Sequence, residues 1–193
     1  NKLKELEISG DAKLSSMVST IESQDYTGDL TLSGEKSELV LRADAVHVGG
    51  ALDVADRAKG LVVAGDLNVE GSIGESGELT KLKVTGDTSV VGDVTTPGMQ
   101  NYRQNLELIG DEEAIFKGEK VIVGRTIFSN DSLRRMIVDG ALEVDGDVGK
   151  QNSPILGLKI TEDLSLAGDI NSIGELRFMK DVFLLGGGAS YFR

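Results

Sequence analysis

The chain repeats itself, and this limits its fold more than any other feature. Shifted by 76 positions, Leu3, Leu6, Gly10 and Asp11 fall on Leu79, Leu82, Gly86 and Asp87. The same shift carries Gln24, Tyr26, Leu30, Leu32 and Gly34 onto Gln100, Tyr102, Leu106, Leu108 and Gly110. A shift of 75 carries Val46, Val48 and Gly49 onto Val121, Val123 and Gly124. It also carries Gly65, Leu67, Val69, Gly71 and Gly74 onto Gly140, Leu142, Val144, Gly146 and Gly149. A third copy resumes the spacing of 76. Ile155, Leu158, Ile160 and Asp163 fall on Leu79, Leu82, Val84 and Asp87, and Phe178, Leu184, Gly186 and Phe192 on Tyr102, Leu108, Gly110 and Phe116. The copies span roughly 1–74, 75–149 and, in part, 150–193. The matches concentrate at apolar and glycine positions, as a shared scaffold with a variable surface requires.

A finer rhythm runs inside each copy. Apolar-x-apolar pairs recur at Leu30/Leu32, Val46/Val48, Leu61/Val63, Leu67/Val69, Leu82/Val84, Val121/Val123, Leu142/Val144, Leu164/Leu166 and Val182/Leu184. Alternation over so few residues is the period of a strand with one buried face. Gly-Asp dipeptides begin at Gly10, Gly28, Gly65, Gly86, Gly92, Gly110, Gly146 and Gly168. Glycine reaches positive φ and Asp bonds nearby backbone amides, so the pair reads as a tight corner. Only Asp131–Met136 suggests a short helical turn. A sandwich would not need a long sequence repeat, whereas solenoid coils see only the coils above and below, so similar coils recur. We therefore expect an all-β, parallel β-helix solenoid that is continuous over residues 1–193. Corner signals about 18–24 residues apart would give three or four coils per copy.

Composition supports this and excludes several functions. Glycine is frequent at 25 residues, proline is rare at 2, and there is no Trp, which suits a narrow aliphatic core. The formal net charge of −12 excludes the positive footprint that nucleic acid or anionic lipid requires. Without cysteine, disulfides and cysteine-based zinc sites are ruled out. No apolar run approaches the length of a membrane helix, so we expect no membrane insertion. The sequence starts at Asn1 and stops at Arg193 within the pattern, which we read as a segment of something longer.

Candidate sites are few. His47, the only histidine, lies between Val46 and Val48, so it should point outward as an ordinary surface residue. The Gly-Asp corners do not show the nonapeptide pattern of calcium-binding solenoids, and Asp as turn former explains them better. Asp111, Glu112 and Glu113 read as a solvated loop. Gly149 and Gly186–Gly188 are not followed by the Gly-Lys-Ser/Thr and helix of a phosphate loop. Glycoside hydrolysis needs two carboxylates about 5–10 Å apart, usually beside aromatic platforms. The least repetitive stretches, Gly34–Ala45 and Arg125–Arg135, hold no such grouping. Tyr26, Tyr102 and Phe178 share one repeat position and suggest a stacked aromatic ladder. Arg134 and Arg135, in a variable loop, are candidates for contact with a partner. We expect no catalytic, cofactor-binding or metal site, and no enzyme.

The stretch Gly71–Gly86, Gly-Ser-Ile-Gly-Glu-Ser-Gly-Glu-Leu-Thr-Lys-Leu-Lys-Val-Thr-Gly, resembles repeats of very large bacterial exoproteins related to filamentous haemagglutinin. So does Gly92-Asp-Val-Thr-Thr-Pro-Gly-Met-Gln-Asn-Tyr102, followed by Leu106-Glu-Leu. Gly146-Asp-Val-Gly and Ile155–Ile160 resemble a further copy of the first part, and Gln24 and Tyr26 one of the second. The resemblance implies a right-handed β-helix, exported and displayed as an adhesin fibre at the bacterial cell surface or outside it. It carries over no catalytic residue.

From these observations we expect a structural segment of a secreted surface fibre, a rigid stalk for attachment to, or display toward, a host or neighbouring cell. The first alternative is a filament subunit, extracellular or bactofilin-like, that self-associates through open solenoid ends. A phage tail-fibre segment is the other.

Overall fold

The computed structural model describes residues 3–55, 59–76, 79–110, 113–130, 133–186 and 190–192. They form an all-β parallel solenoid with no helix among the described residues. Each turn of chain supplies three short rungs, one to each of three faces, here A, B and C in chain order. Face A stacks Leu6–Ile8, Ser23–Tyr26, Val46–Val48, Leu67–Val69, Thr88–Val90, Leu106–Leu108 and Ile127–Phe128. Single bridges extend it through Val148 and Ile170 to Phe192. Face B begins with Ala12–Leu14, Leu30–Leu32 and Leu52–Val54, then passes through Ile73 and Val94 to Phe116, Val138, Ile160 and Phe178. Face C stacks Leu39–Leu41, Leu61–Val63, Leu82–Val84, Gln100–Tyr102, Val121–Val123, Leu142–Val144, Leu164–Leu166 and Val182–Leu184.

The apolar-x-apolar pairs are these rungs. Both outer members point inward and are buried in the middle coils, while the residue between them faces out. Full burial of one such aliphatic side chain contributes about 1.5–3 kcal/mol. The buried residues make one continuous core from Tyr26 to Ile170. Some strands carry two rungs and bend around a corner. Glu38–Val48 does so with a register slip between Arg42 and Ala45, and Ala114–Val123 with one between Lys117 and Lys120.

Turn length is not constant. Corner bonds from one turn to the next span 18 positions at Asp11, 22 at Asp29 and 21 at Asp66. From Gln24 on face A, three turns lead through Val46 and Leu67 to Thr88, and two faces further lie Val94 and Gln100. The repeat is thus three turns plus two-thirds of a turn. Each copy places the same residues on a different face, about 18 Å further along the axis at the usual rung spacing. Tyr26 lies on face A, Tyr102 on face C and Phe178 on face B. The expected aromatic ladder does not form, because the sequence repeat is not a whole number of turns. Tyr26 and Tyr102 are fully buried, which also excludes a surface aromatic stripe. What recurs is an edge-to-face pair, Tyr102 with Phe116 at 6.3 Å and Phe178 with Phe192 at 6.2 Å.

The expected helical turn is absent from the described part of Asp131–Met136. Asp131 and Ser132 lie outside the described residues. Met136 belongs to the strand Arg135–Val144 and points into the core, as the alternation of exposed Arg135, buried Met136 and buried Val138 dictates.

Candidate functional site

The corners consume much of the carboxylate chemistry that the sequence displays. Asp29 N–H donates to Asp11 Oδ1 (3.0 Å), and Ala51 N–H to Asp29 Oδ1 (2.8 Å). Asp87 N–H donates to Asp66 Oδ1 (2.8 Å), and Asn105 N–H to Asp87 Oδ1 (3.0 Å). Asp169 N–H donates to Asp147 Oδ1 (2.8 Å). Each corner carboxylate therefore caps a backbone amide one turn further on. Four glycines serve this arrangement by their size. A Cβ on Gly28, Gly50, Gly86 or Gly168 would lie 2.0–2.5 Å from the carboxylate of Asp11, Asp29, Asp66 or Asp147. Of the Gly-Asp glycines, only Gly10, Gly65 and Gly110 have positive φ. The turn-former reading thus holds for Asp. For Gly28, Gly86 and Gly168, steric room for the carboxylate of the preceding turn replaces backbone conformation as the reason, and for Gly92 and Gly146 it is room for the backbone of that turn.

Two buried polar devices repeat with the copies. Gln24 Nε2 donates to the carbonyls of Val18 (3.3 Å) and Arg42 (2.9 Å), and Tyr26 donates its hydroxyl hydrogen to Gln24 Oε1 (3.1 Å). Gln100 Nε2 bonds Val94 (3.2 Å) and Lys117 (3.0 Å) in the same way, and Tyr102 donates to Gln100 Oε1. Burial raises the Tyr26 hydroxyl to about 12 and that of Tyr102 still higher, so both remain protonated donors. The second device is a buried cation. Lys59 Nζ donates to the carbonyls of Gly34 and Lys36, and Arg134, only 2% exposed, donates to those of Val90, Ile109 and Glu113. The shift of 75 carries Lys59 onto Arg134, and the two hold equivalent loops. Arg134 is thus a staple for backbone carbonyls and not a partner contact, because several of its guanidinium donors satisfy carbonyls of the two preceding turns.

His47 points outward, as the alternation requires. It is not isolated, because turns above and below place carboxylates beside it. Nδ1 lies 2.9 Å from Asp25 Oδ1 and Nε2 3.3 Å from Glu70 Oε1. The Asp25 hydrogen bond is the main cause of a raised His47 pKa, opposed by partial desolvation and aided by Glu70. Among the described residues no group of three His, Cys, Asp or Glu side chains is placed to hold a metal.

Two open clefts lie side by side on the corner between faces B and C, with volumes of about 300 and 440 Å³. Three of their four carboxylates are engaged. Asp139 accepts from the Thr161 hydroxyl (3.2 Å), Glu162 pairs with Lys180, and Asp163 accepts from Asp181 N–H (3.4 Å). Asp111, Glu112, Gly187 and Gly188 lie outside the described residues.

The end coils differ from the middle. Val182 and Leu184 are 37% and 49% exposed, whereas their repeat equivalents Leu106 and Leu108 are fully buried beneath the next turn. Phe183, Leu185 and Met179 are exposed beside them. At the other end Leu3, Met17 and Ile21 are exposed, and Leu6, Ile8 and Leu14 are half-buried.

The corners, buried staples and rung pattern define a repeat protein of the parallel β-solenoid class. Among the described residues no helix is long and apolar enough to cross a membrane. No family model, no curated protein and no solved structure matches this chain.

Proposed function

We propose that the chain is a structural segment of a secreted bacterial surface fibre, a stiff stalk that attaches to or displays toward another cell. One observation carries this reading. The polar side chains that recur with the repeat, including the corner Asp residues, Gln24 and Gln100, and Lys59 and Arg134, bond the backbone of neighbouring turns. The repeat is chemistry spent on stacking coils. The test is incubation of the purified chain with a panel of neutral and acidic polysaccharides, with release of reducing or unsaturated ends as readout. No turnover above a heat-denatured control agrees with the proposal, and saturable turnover overturns it.

A second reading is a filament subunit that associates end to end. Exposed Val182 and Leu184 would favour it wherever the solenoid ends at this coil, because such rungs offer backbone groups and apolar surface to another coil.

A further inference from the structure

Face B carries a cationic cleft that the scaffold does not need. Lys159 and Arg177 are registered neighbours on adjacent rungs and both point outward. They form the one registered pair of cations among the described strand pairings. Like charges placed opposite each other destabilise a sheet. Elsewhere the stacked turns bring opposite charges together, as in Lys120 with Glu143 and Lys180 with Glu162 on neighbouring turns and Lys81 with Glu38 two turns apart.

Arg135 completes the group. It is registered with Gly157, which has no side chain, and its Nε lies 3.5 Å from the position a Gly157 Cβ would take. The guanidinium thus lies along the space that Gly157 leaves open. Arg135, Ile137, Lys159, Glu175 and Arg177 line a cleft of about 180 Å³. Among the described residues Arg135 reaches one carboxylate in a marginal ion pair, Glu113 at 3.8 Å. The repeat equivalents of Arg135, Lys159 and Arg177 are Gly60, Lys83 and Asn101, so only the lysine recurs. This cation set therefore belongs to the variable surface and not to the scaffold.

We infer that Arg135, Lys159 and Arg177 bind the carboxylate of a small hydroxylated acid of monosaccharide size. Three cations lining one cleft match an oxyanion, and two of them offer the planar fork that takes a carboxylate in two bonds. The Glu175 carboxylate on the cleft wall accepts hydrogen bonds from ligand hydroxyls. The volume, smaller than a drug-sized pocket, limits the ligand to one such unit. At physiological salt, charges more than about 8 Å away are largely screened, so the net charge of −12 does not cancel this local field.

The test is an NMR titration of the isotope-labelled chain with sodium glucuronate, sodium sulfate and glucose at constant ionic strength. Saturable shifts with glucuronate, confined to the amides around Arg135, Lys159, Glu175 and Arg177, are expected, with none for glucose. Lys159→Gln and Arg177→Gln should each weaken binding at least tenfold, with an unchanged or raised Tm that shows an intact fold. Saturation by sulfate alone retains the oxyanion site and overturns the hydroxylated acid as its ligand. Shifts spread equally over exposed Lys13 and Lys117, no saturation with either anion, or unaltered binding in both variants overturns the site itself.

Discussion

Tyr102 donates its hydroxyl hydrogen to Oε1 of Gln100, 3.2 Å away in the solenoid interior, and Tyr26 does the same to Gln24 on a different face. The Gln amide then bridges two carbonyls of adjacent turns, where the rung bends out of regular pairing. Removing the amide strands those carbonyls, which costs about 1–3 kcal/mol, while loss of the phenol hydroxyl removes one hydrogen bond worth about 1 kcal/mol. Thermal denaturation should therefore rank Gln100→Leu as more damaging than Tyr102→Phe. The opposite rank would show that the amide is dispensable.

The same logic applies to the buried cations. Arg134→Met keeps much of the side-chain volume but deserts the carbonyls of Val90, Ile109 and Glu113. A loss of about 2–3 kcal/mol in denaturant unfolding is expected, against less than about 0.5 kcal/mol for Arg135→Met on the surface. Equal small effects would contradict the staple role.

At the corners, Gly50→Ala would force a methyl group to within 2.2 Å of Asp29 Oδ1 and 2.9 Å of Asp29 N. Because the backbone atoms remain in the way, Asp29→Ala should not rescue it. The cost of such overpacking is about 1–3 kcal/mol, measurable as a drop in Tm.

His47 should make stability depend weakly on pH. Its folded pKa is raised, chiefly by Asp25, above the ordinary unfolded value near 6.5. The protonated pair thus stabilises fully below that unfolded value, and the contribution disappears as pH rises through the folded pKa. The ring is partly exposed, so the amplitude should stay below about 1 kcal/mol. NMR titration of His47 should show a lower pKa in Asp25→Asn. An unchanged pKa would remove Asp25 as the cause.

The rung pattern was legible in the sequence because each rung needs two inward aliphatics with one residue between. Leu61/Val63 and Leu142/Val144 announce themselves. The face on which a residue sits was not legible. The unequal turn lengths and the slips at Arg42/Ala45 and Lys117/Lys120 must be known before Tyr26 and Tyr102 can be placed on separate faces. Interactions one turn away were hidden for the same reason. Asp25 and Glu70 are 22 and 23 residues from His47, and nothing local points to them. The alignment of Lys59 with Arg134 was present in the sequence, but a cation beside a loop reads as surface until its carbonyl partners are seen.

Whether the chain is a stalk element or a self-assembling subunit is tested most directly by negative-stain electron microscopy over a wide concentration range. The proposed stalk predicts isolated short rods of constant length at every concentration. Filaments that lengthen as concentration rises would contradict it and make end-to-end stacking through the Val182–Leu184 edge the function.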